Sequence, residues 1–340
     1  MIPFLLVAGV TLSQAPSGQI AFLQQLNEEK RRVVLLEIDT GQISRVCTGP
    51  WDSSPTWSPD GSKLAYSTRE DKRTAIRVIS LDGSPDTAIP HALPHNESPA
   101  WSPDGSKLAY SVSEGGRHAL YVYDFATGTE TQWGKPASDD GSASAISMLR
   151  PAWRSDDEIV VVGARDEKDG RMADLYELGP QSITILAEER GKGVYVEWAP
   201  ATHSKSGMLA YESNDGGDRE IFVSGPRRTV ADVSNHREAD WNPVWSPDGE
   251  WIAFESFRDG PRGIYKVTPQ RTVVTPIAVD VMSSNWSPSW SPDGKWIAFI
   301  STRTGKPALH ICRENGADVR RATNHDAIDL APAWRPLKSK

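Results

Sequence analysis

Two segments of this chain carry a histidine and an aspartate at one spacing: His236 with Asp240 in HREADWNP, and His325 with Asp329 in NHDAIDLAP. Imidazole nitrogens and carboxylate oxygens are donors for a divalent cation; oxygens suit Ca²⁺, and added imidazole suits a transition metal. In both segments the histidine stands nine residues, and the aspartate five, before a tryptophan, Trp245 or Trp334. Asp52, Asn96 and Asn285 stand five residues before Trp57, Trp101 and Trp290. That recurrence suits a frame residue, an Asx side chain that bonds nearby backbone and shapes a turn. Repetition favours the frame role, and the two His–Asp pairs stay as candidates for a cation site.

One position nearer the tryptophan stand Trp241, Trp286 and Leu330, while Trp51 lies six before Trp57. Large apolar side chains with no recurring frame duty mark a contact with a protein or a sugar. The competing reading is packing between neighbouring loops.

Other chemistry is missing from the sequence. No Gly-x-Ser-x-Gly nucleophile elbow occurs, and RGKGVY lacks the third glycine and the Lys-Ser/Thr of a phosphate loop. Cys47 and Cys312 make neither a disulfide framework nor a zinc site. With a net charge of −8 and no basic run, nucleic acid is excluded as a general partner. No cofactor is expected beyond the candidate cation.

What must position these residues is a repeat. Aligned on Trp57, Trp101, Trp153, Trp198, Trp245, Trp290 and Trp334, the units are spaced 44, 52, 45, 47, 45 and 44 residues apart. Each unit reads alike: a short segment ending in Trp, a Ser-Pro-Asp-Gly turn, and a strand such as KLAYS, MLAYES or WIAFES. A polar hairpin, a third strand such as ALYVYD or GIYKV, and a weaker fourth strand follow. Four short strands in about 45 residues make a propeller blade. The fold class is therefore all-β, a propeller of four-stranded antiparallel blades, with seven blades expected and six or eight as alternatives. The chain starts its repeats with a second strand, GQIAFLQQL, and ends with a first strand, APAWRPLK. Each end supplies what the other lacks, so the strand at Trp334 is expected to pair with Ile20–Leu23 and close the ring. In that ring the loop before each tryptophan lies at the channel mouth.

WSPDGKWIAFISTRTGKPALHICRENGADVRRATNHDAIDLAPAW resembles the repeat of TolB-like β-propellers, and the resemblance covers nearly the whole chain after residue 18. It implies a propeller of the kind that binds partner proteins in the periplasm, and that also occurs beside prolyl-peptidase domains and in pectin-degrading lyases. The propeller is expected over residues 18–337, leaving no room for the α/β domain that precedes the propeller in TolB itself. Residues 1–15 read as a signal peptide or leader: an apolar stretch from Ile2 to Leu12, then small residues, without a basic start. It is too short to span a bilayer. Periplasmic or secreted localisation follows. The leading function is a binding scaffold for a protein partner, with a carbohydrate or peptide ligand as a variant. Its rivals are a metal-assisted polysaccharide lyase or hydrolase acting at the channel mouth, and an accessory propeller of a separately encoded peptidase.

Overall fold

The computed structural model describes residues 15–337, except 48, 91–94, 115, 135–145, 168–169, 188–200, 204, 215–216, 226–229 and 271–272. The expected leader, His91 and Trp198 lie outside the described residues. The described strands run from β1 (Gln19–Gln25) to β28 (Ile328–Trp334), grouped in seven four-stranded antiparallel sheets. Blade 1 has the order β28-β1-β2-β3, with β2 at Arg31–Glu37 and β3 at Gln42–Arg45. The two ends of the chain thus share one blade, in the register Ile20↔Trp334 and Leu23↔Leu330. Blades 2 to 7 each take four consecutive strands. Their first strands are β4 (Asp52–Trp57), β8 (Asn96–Trp101), β12 (Ser147–Ser155), β16 (Ala201–His203), β20 (Asp240–Trp245) and β24 (Asn285–Trp290). Consecutive first strands touch, and β28 touches both β24 and β4, so they form a closed inner ring. The expected fold and its closure are both present.

The core lies between blades. Seven buried apolar clusters occur among the described residues, each shared by two adjacent blades. Blade 1 meets blade 2 through Leu23, Val33, Leu35 and Cys47 against Trp57, Leu64 and Tyr66. A single blade exposes two apolar faces and cannot bury either alone, so closure of the ring is what completes the core.

The repeated tryptophan also donates a hydrogen bond. The indole N–H of Trp57 reaches Ala333 O at 3.0 Å, Trp101 reaches Thr56 O at 3.2 Å, and Trp153 reaches Ala100 O at 2.9 Å. Trp245 and Trp290 reach Ala201 O and Val244 O at 3.0 and 3.2 Å. Each acceptor is the residue just before the preceding blade's anchor. Ala201 therefore makes Thr202 the anchor of blade 5, and Thr202 faces Leu209 as Trp57 faces Leu64. The alignment on Trp198 is corrected: the true anchor is a threonine, whose hydroxyl donates to Trp153 O at 2.5 Å. A hydroxyl replaces the indole in holding blade 5 to blade 4, so no aromatic marks the position.

The turn after each anchor is as expected. Ser102 Oγ donates to Asp104 Oδ1 at 2.7 Å, the Gly105 N–H closes back on Ser102 O, and Gly105 sits at φ 73°. That left-handed geometry is what glycine supplies without a Cβ clash.

Candidate functional site on the mouth face

Because the strands of a blade alternate in direction, two sets of connections fall at one end of the ring. These are the loop entering each first strand and the hairpin joining second to third strands; together they form the mouth face. The Ser-Pro-Asp-Gly turns fall at the opposite end. All eight residues expected to bind a cation or partner lie on the mouth face.

The five Asp and Asn residues that stand five before an anchor are buried. Asp52, Asp240, Asn285 and Asp329 have no solvent exposure and Asn96 is 4% exposed. Their partners show why. Asp52 Oδ2 accepts the Val33 N–H of blade 1 at 3.1 Å and the Cys47 thiol at 2.5 Å, while Oδ1 accepts the Thr68 hydroxyl at 2.7 Å. Asp329 accepts the Leu309 N–H of blade 7 at 2.9 Å and the Thr323 hydroxyl at 2.6 Å. These carboxylates clasp one blade to the next, which differs from the turn-shaping expected of an Asx residue. Burial pushes the Asp329 carboxyl above its ordinary pKa, against hydrogen bonds that pull it down.

The structure brings together one of the two His–Asp pairs. His325 Nε2 lies 3.4 Å from Asp329 Oδ1 and 3.0 Å from the Gln24 amide nitrogen. His236 instead accepts the Glu238 N–H on Nδ1 at 3.1 Å and donates its own N–H to Glu220 Oε1 at 2.7 Å. Asp240 is held by Arg258 Nη2 at 2.7 Å. Glu220 is pushed up to about 7, by burial first and by the adjoining Asp240. Among the described residues no three His, Cys, Asp or Glu side chains gather as a metal-ligand set.

The four apolar candidates divide into two kinds. Trp51 is partly exposed, with the Arg31 guanidinium 4.5 Å and that of Arg69 5.8 Å from its ring centroid. Trp241 meets Phe257 edge-on at 5.0 Å, and Arg262 stands 5.7 Å from the one ring and 5.6 Å from the other. Trp286 and Leu330 pack on the clusters flanking blade 1. So two of the four form cation–π stacks at the surface and two extend the core.

A feature that the motif reading missed lies just inside. The residue three before the anchor is left-handed in six blades: Ser54, Ser98, Arg150, Asn242, Ser287 and Ala331, with φ from 46° to 55°. Each precedes a proline, and the pairing register slips there, a bulge in every one of these first strands. The bulge turns a backbone N–H sideways toward the preceding blade. In two places a carboxylate receives it. Asn242 N–H donates to Glu212 Oε1 at 2.7 Å, and Ser287 N–H donates to Glu255 Oε1 at 2.8 Å. Asn242 also donates its side-chain amide to Glu255 Oε1 at 2.8 Å. Arg262 lies 3.2 Å from Glu255 Oε2, and Arg219 lies 3.6 Å from Glu212 Oε2. Glu212 and Glu255 are 2% and 4% exposed. Burial raises both pKa values, that of Glu212 to about 8.

The paired strands place Glu212 and Glu255 in the register held by Leu23, Ser67, Ser111, Val162 and Ile300 in other blades. The signal was in the sequence: MLAYES and WIAFES carry Glu where KLAYS carries Ser. What the sequence could not show is that these positions lie against the next blade's bulge.

Comparisons with known proteins agree with this architecture. Residues 19–163 match the family described as TolB beta propeller domain. A segment of 52 residues is 40% identical to the Tol-Pal system protein TolB of Methylobacillus flagellatus; it covers 15% of this chain and 12% of that protein. Among solved structures, TolB from Acinetobacter baumannii aligns with a TM-score of 0.58 at 20% identity, over 94% of this chain and 67% of that one. The propeller domain of the Trilobed protease from Pyrococcus furiosus aligns with a TM-score of 0.68 at 16% identity, over 92% and 96%. That propeller is described as having an open velcro topology, whereas here β28 closes on β1. At such identities the structural likeness shows the fold. The closed ring makes this chain a seven-bladed β-propeller, and its residues 19–163 are similar to the TolB beta propeller domain.

Proposed function

We propose that this chain is an exported binding scaffold, periplasmic or secreted, that takes a protein partner on its mouth face and has no catalytic machinery of its own. One observation carries the reading. The mouth face is asymmetric: Trp51 between Arg31 and Arg69, and Trp241 with Phe257 and Arg262, occupy loops whose counterparts differ from blade to blade. Aromatic and arginine side chains of this kind dominate binding energy at protein interfaces. Of the repeated polar residues beneath them, Asp52 and Asp329 are consumed in clasping blades, and Asp240 and Asn285 in holding Arg258 and Arg303. The similarity to a Tol-Pal system protein supports a protein partner over a sugar. Among the described residues no helix is long and apolar enough to cross a membrane.

The test is capture from a native envelope extract by immobilised wild-type protein and by the double variant Trp51→Ala, Trp241→Ala. A partner retained by the wild type and reduced at least tenfold on the variant is the expected result. A blank capture together with turnover on a panel of polysaccharides overturns the scaffold reading.

A further inference from the structure

The two arginines on Trp51 differ from Arg219, Arg258 and Arg262 of the same face. Those three stand 3.6, 2.7 and 3.2 Å from carboxylate oxygens of Glu212, Asp240 and Glu255. Arg69 is exposed and its guanidinium makes no hydrogen bond or ion pair with any described residue. Arg31 is partly exposed and spends only Nε, which donates to Asp52 O at 2.7 Å; its two Nη groups are unspent. The acid next to Arg69 in the chain does not serve it. Glu70 faces the other side of the strand Lys63–Glu70, where Arg77 Nε donates to it at 2.7 Å.

Backbone bonds fix the three side chains relative to one another. The Arg31 N–H donates to Pro50 O at 3.1 Å, and the Arg69 N–H donates to Trp51 O at 2.9 Å. Residues 50 and 51 are thereby held between the third strand of blade 1 and the second strand of blade 2. Both guanidiniums rest near the indole, 4.5 and 5.8 Å from its centroid, which limits the freedom they lose on meeting a ligand. With Nε anchored, the planar fork of Arg31 presents its Nη edge in one orientation.

The charges here are unbalanced. Burial lowers the Arg31 pKa, the Asp52 carboxylate opposes this, and the nearby Arg69 lowers it further. Asp52 offers no oxygen to either Nη edge: it has no solvent exposure and accepts from Val33, Cys47 and Thr68. Two guanidiniums beside one buried carboxylate leave one positive charge in excess. A carboxylate ligand cancels that charge and matches the guanidinium fork with two oxygens. A phosphate dianion carries one negative charge too many.

We propose that Arg31, Arg69 and Trp51 form an exposed clamp for a carboxylate of the partner, on the seam between blades 1 and 2. The clamp rests on the reading of the mouth face as the binding face. It gives the partner a chemistry, an acidic side chain or a free chain terminus.

The experiment follows the indole N–H resonance of Trp51 in the isotope-labelled full chain, assigned by its loss in Trp51→Phe. Four probes are titrated at neutral pH and constant ionic strength: acetyl-Gly-Asp-Gly-amide, acetyl-triglycine with a free carboxylate, the same peptide as its amide, and inorganic phosphate. The first two separate an acidic side chain from a chain terminus. A saturable shift with at least one of them is expected, with the plain amide silent and phosphate weaker. Arg69→Ala should weaken that binding at least threefold, the scale of one exposed ion pair. Arg69→Glu, which puts a carboxylate beside Arg31 from within the chain, should abolish it. Silence of both carboxylate probes, phosphate binding tighter than either, or unchanged affinity in Arg69→Ala overturns the clamp. Equal capture of an extract partner by wild type and Arg69→Glu sinks the clamp and leaves the scaffold standing. Carboxylate binding that depends on Arg69, beside a blank capture, does the reverse.

Discussion

Asn242, in the first strand of blade 6, donates its backbone N–H to Glu212 Oε1 of blade 5 at 2.7 Å. The bond exists because Asn242 is left-handed at φ 53°, inside a bulge. It holds an acid whose burial raises its pKa from 4.5 to about 8. Such an acid favours the folded state fully below pH 4.5, and that contribution fades as pH rises through 8. Urea midpoints measured from pH 5 to pH 9 should fall, and the fall should be shallower in Glu212→Gln. Equal slopes would mean that Glu212 ionises as freely in the fold as in the unfolded chain.

Asp52 accepts from Val33, Cys47 and Thr68 and has no solvent exposure. Asp52→Ala removes the acceptor of the Val33 N–H and the Thr68 hydroxyl and one of the two acceptors of the Cys47 thiol. A loss of about 3 kcal/mol is expected, at the upper range for single buried polar deletions. Chemical denaturation reads it directly; a change below about 1 kcal/mol would remove Asp52 from the blade clasp.

Trp57 is 7% exposed and does two jobs, filling the seam between blades 1 and 2 and donating to Ala333 O. Trp57→Ala should cost about 3–5 kcal/mol through the cavity. Trp57→Phe keeps most of the volume and drops the N–H, so about 1–2 kcal/mol is expected. Near-equal losses for the two would show that the hydrogen bond, and not the filling, matters most.

Burial is the leading cause that pushes the thiols of Cys47 and Cys312 up to about 12. Neither supplies thiolate at pH 8, so both should resist a thiol reagent in the native protein and react after denaturation. Fast labelling of the native chain at pH 8 would contradict the packing around these residues.

Much of this was legible without coordinates. The strand grammar, the turn at Gly105, the shared blade and the seam-filling tryptophans all follow from local pattern. Blade 5 was misaligned because its anchor, Thr202, shares no chemistry with tryptophan. The candidates before each anchor were placed on the right face, yet their roles split. Asp240 paired with Arg258 of its own blade, His325 met Asp329 but His236 faced its own loop, and Trp51 and Trp241 gathered arginines while Trp286 and Leu330 joined the core.

The sequence by itself determined the architecture, because periodic apolar residues, Ser-Pro-Asp-Gly turns and complementary ends act locally and repeat. Only the tertiary structure decided which side chains work together. Glu212 and Asn242 are thirty residues apart and belong to different blades. Their contact depends on how a bulge in one strand aims an N–H across the seam, and a seam between blades leaves no periodic trace in the chain.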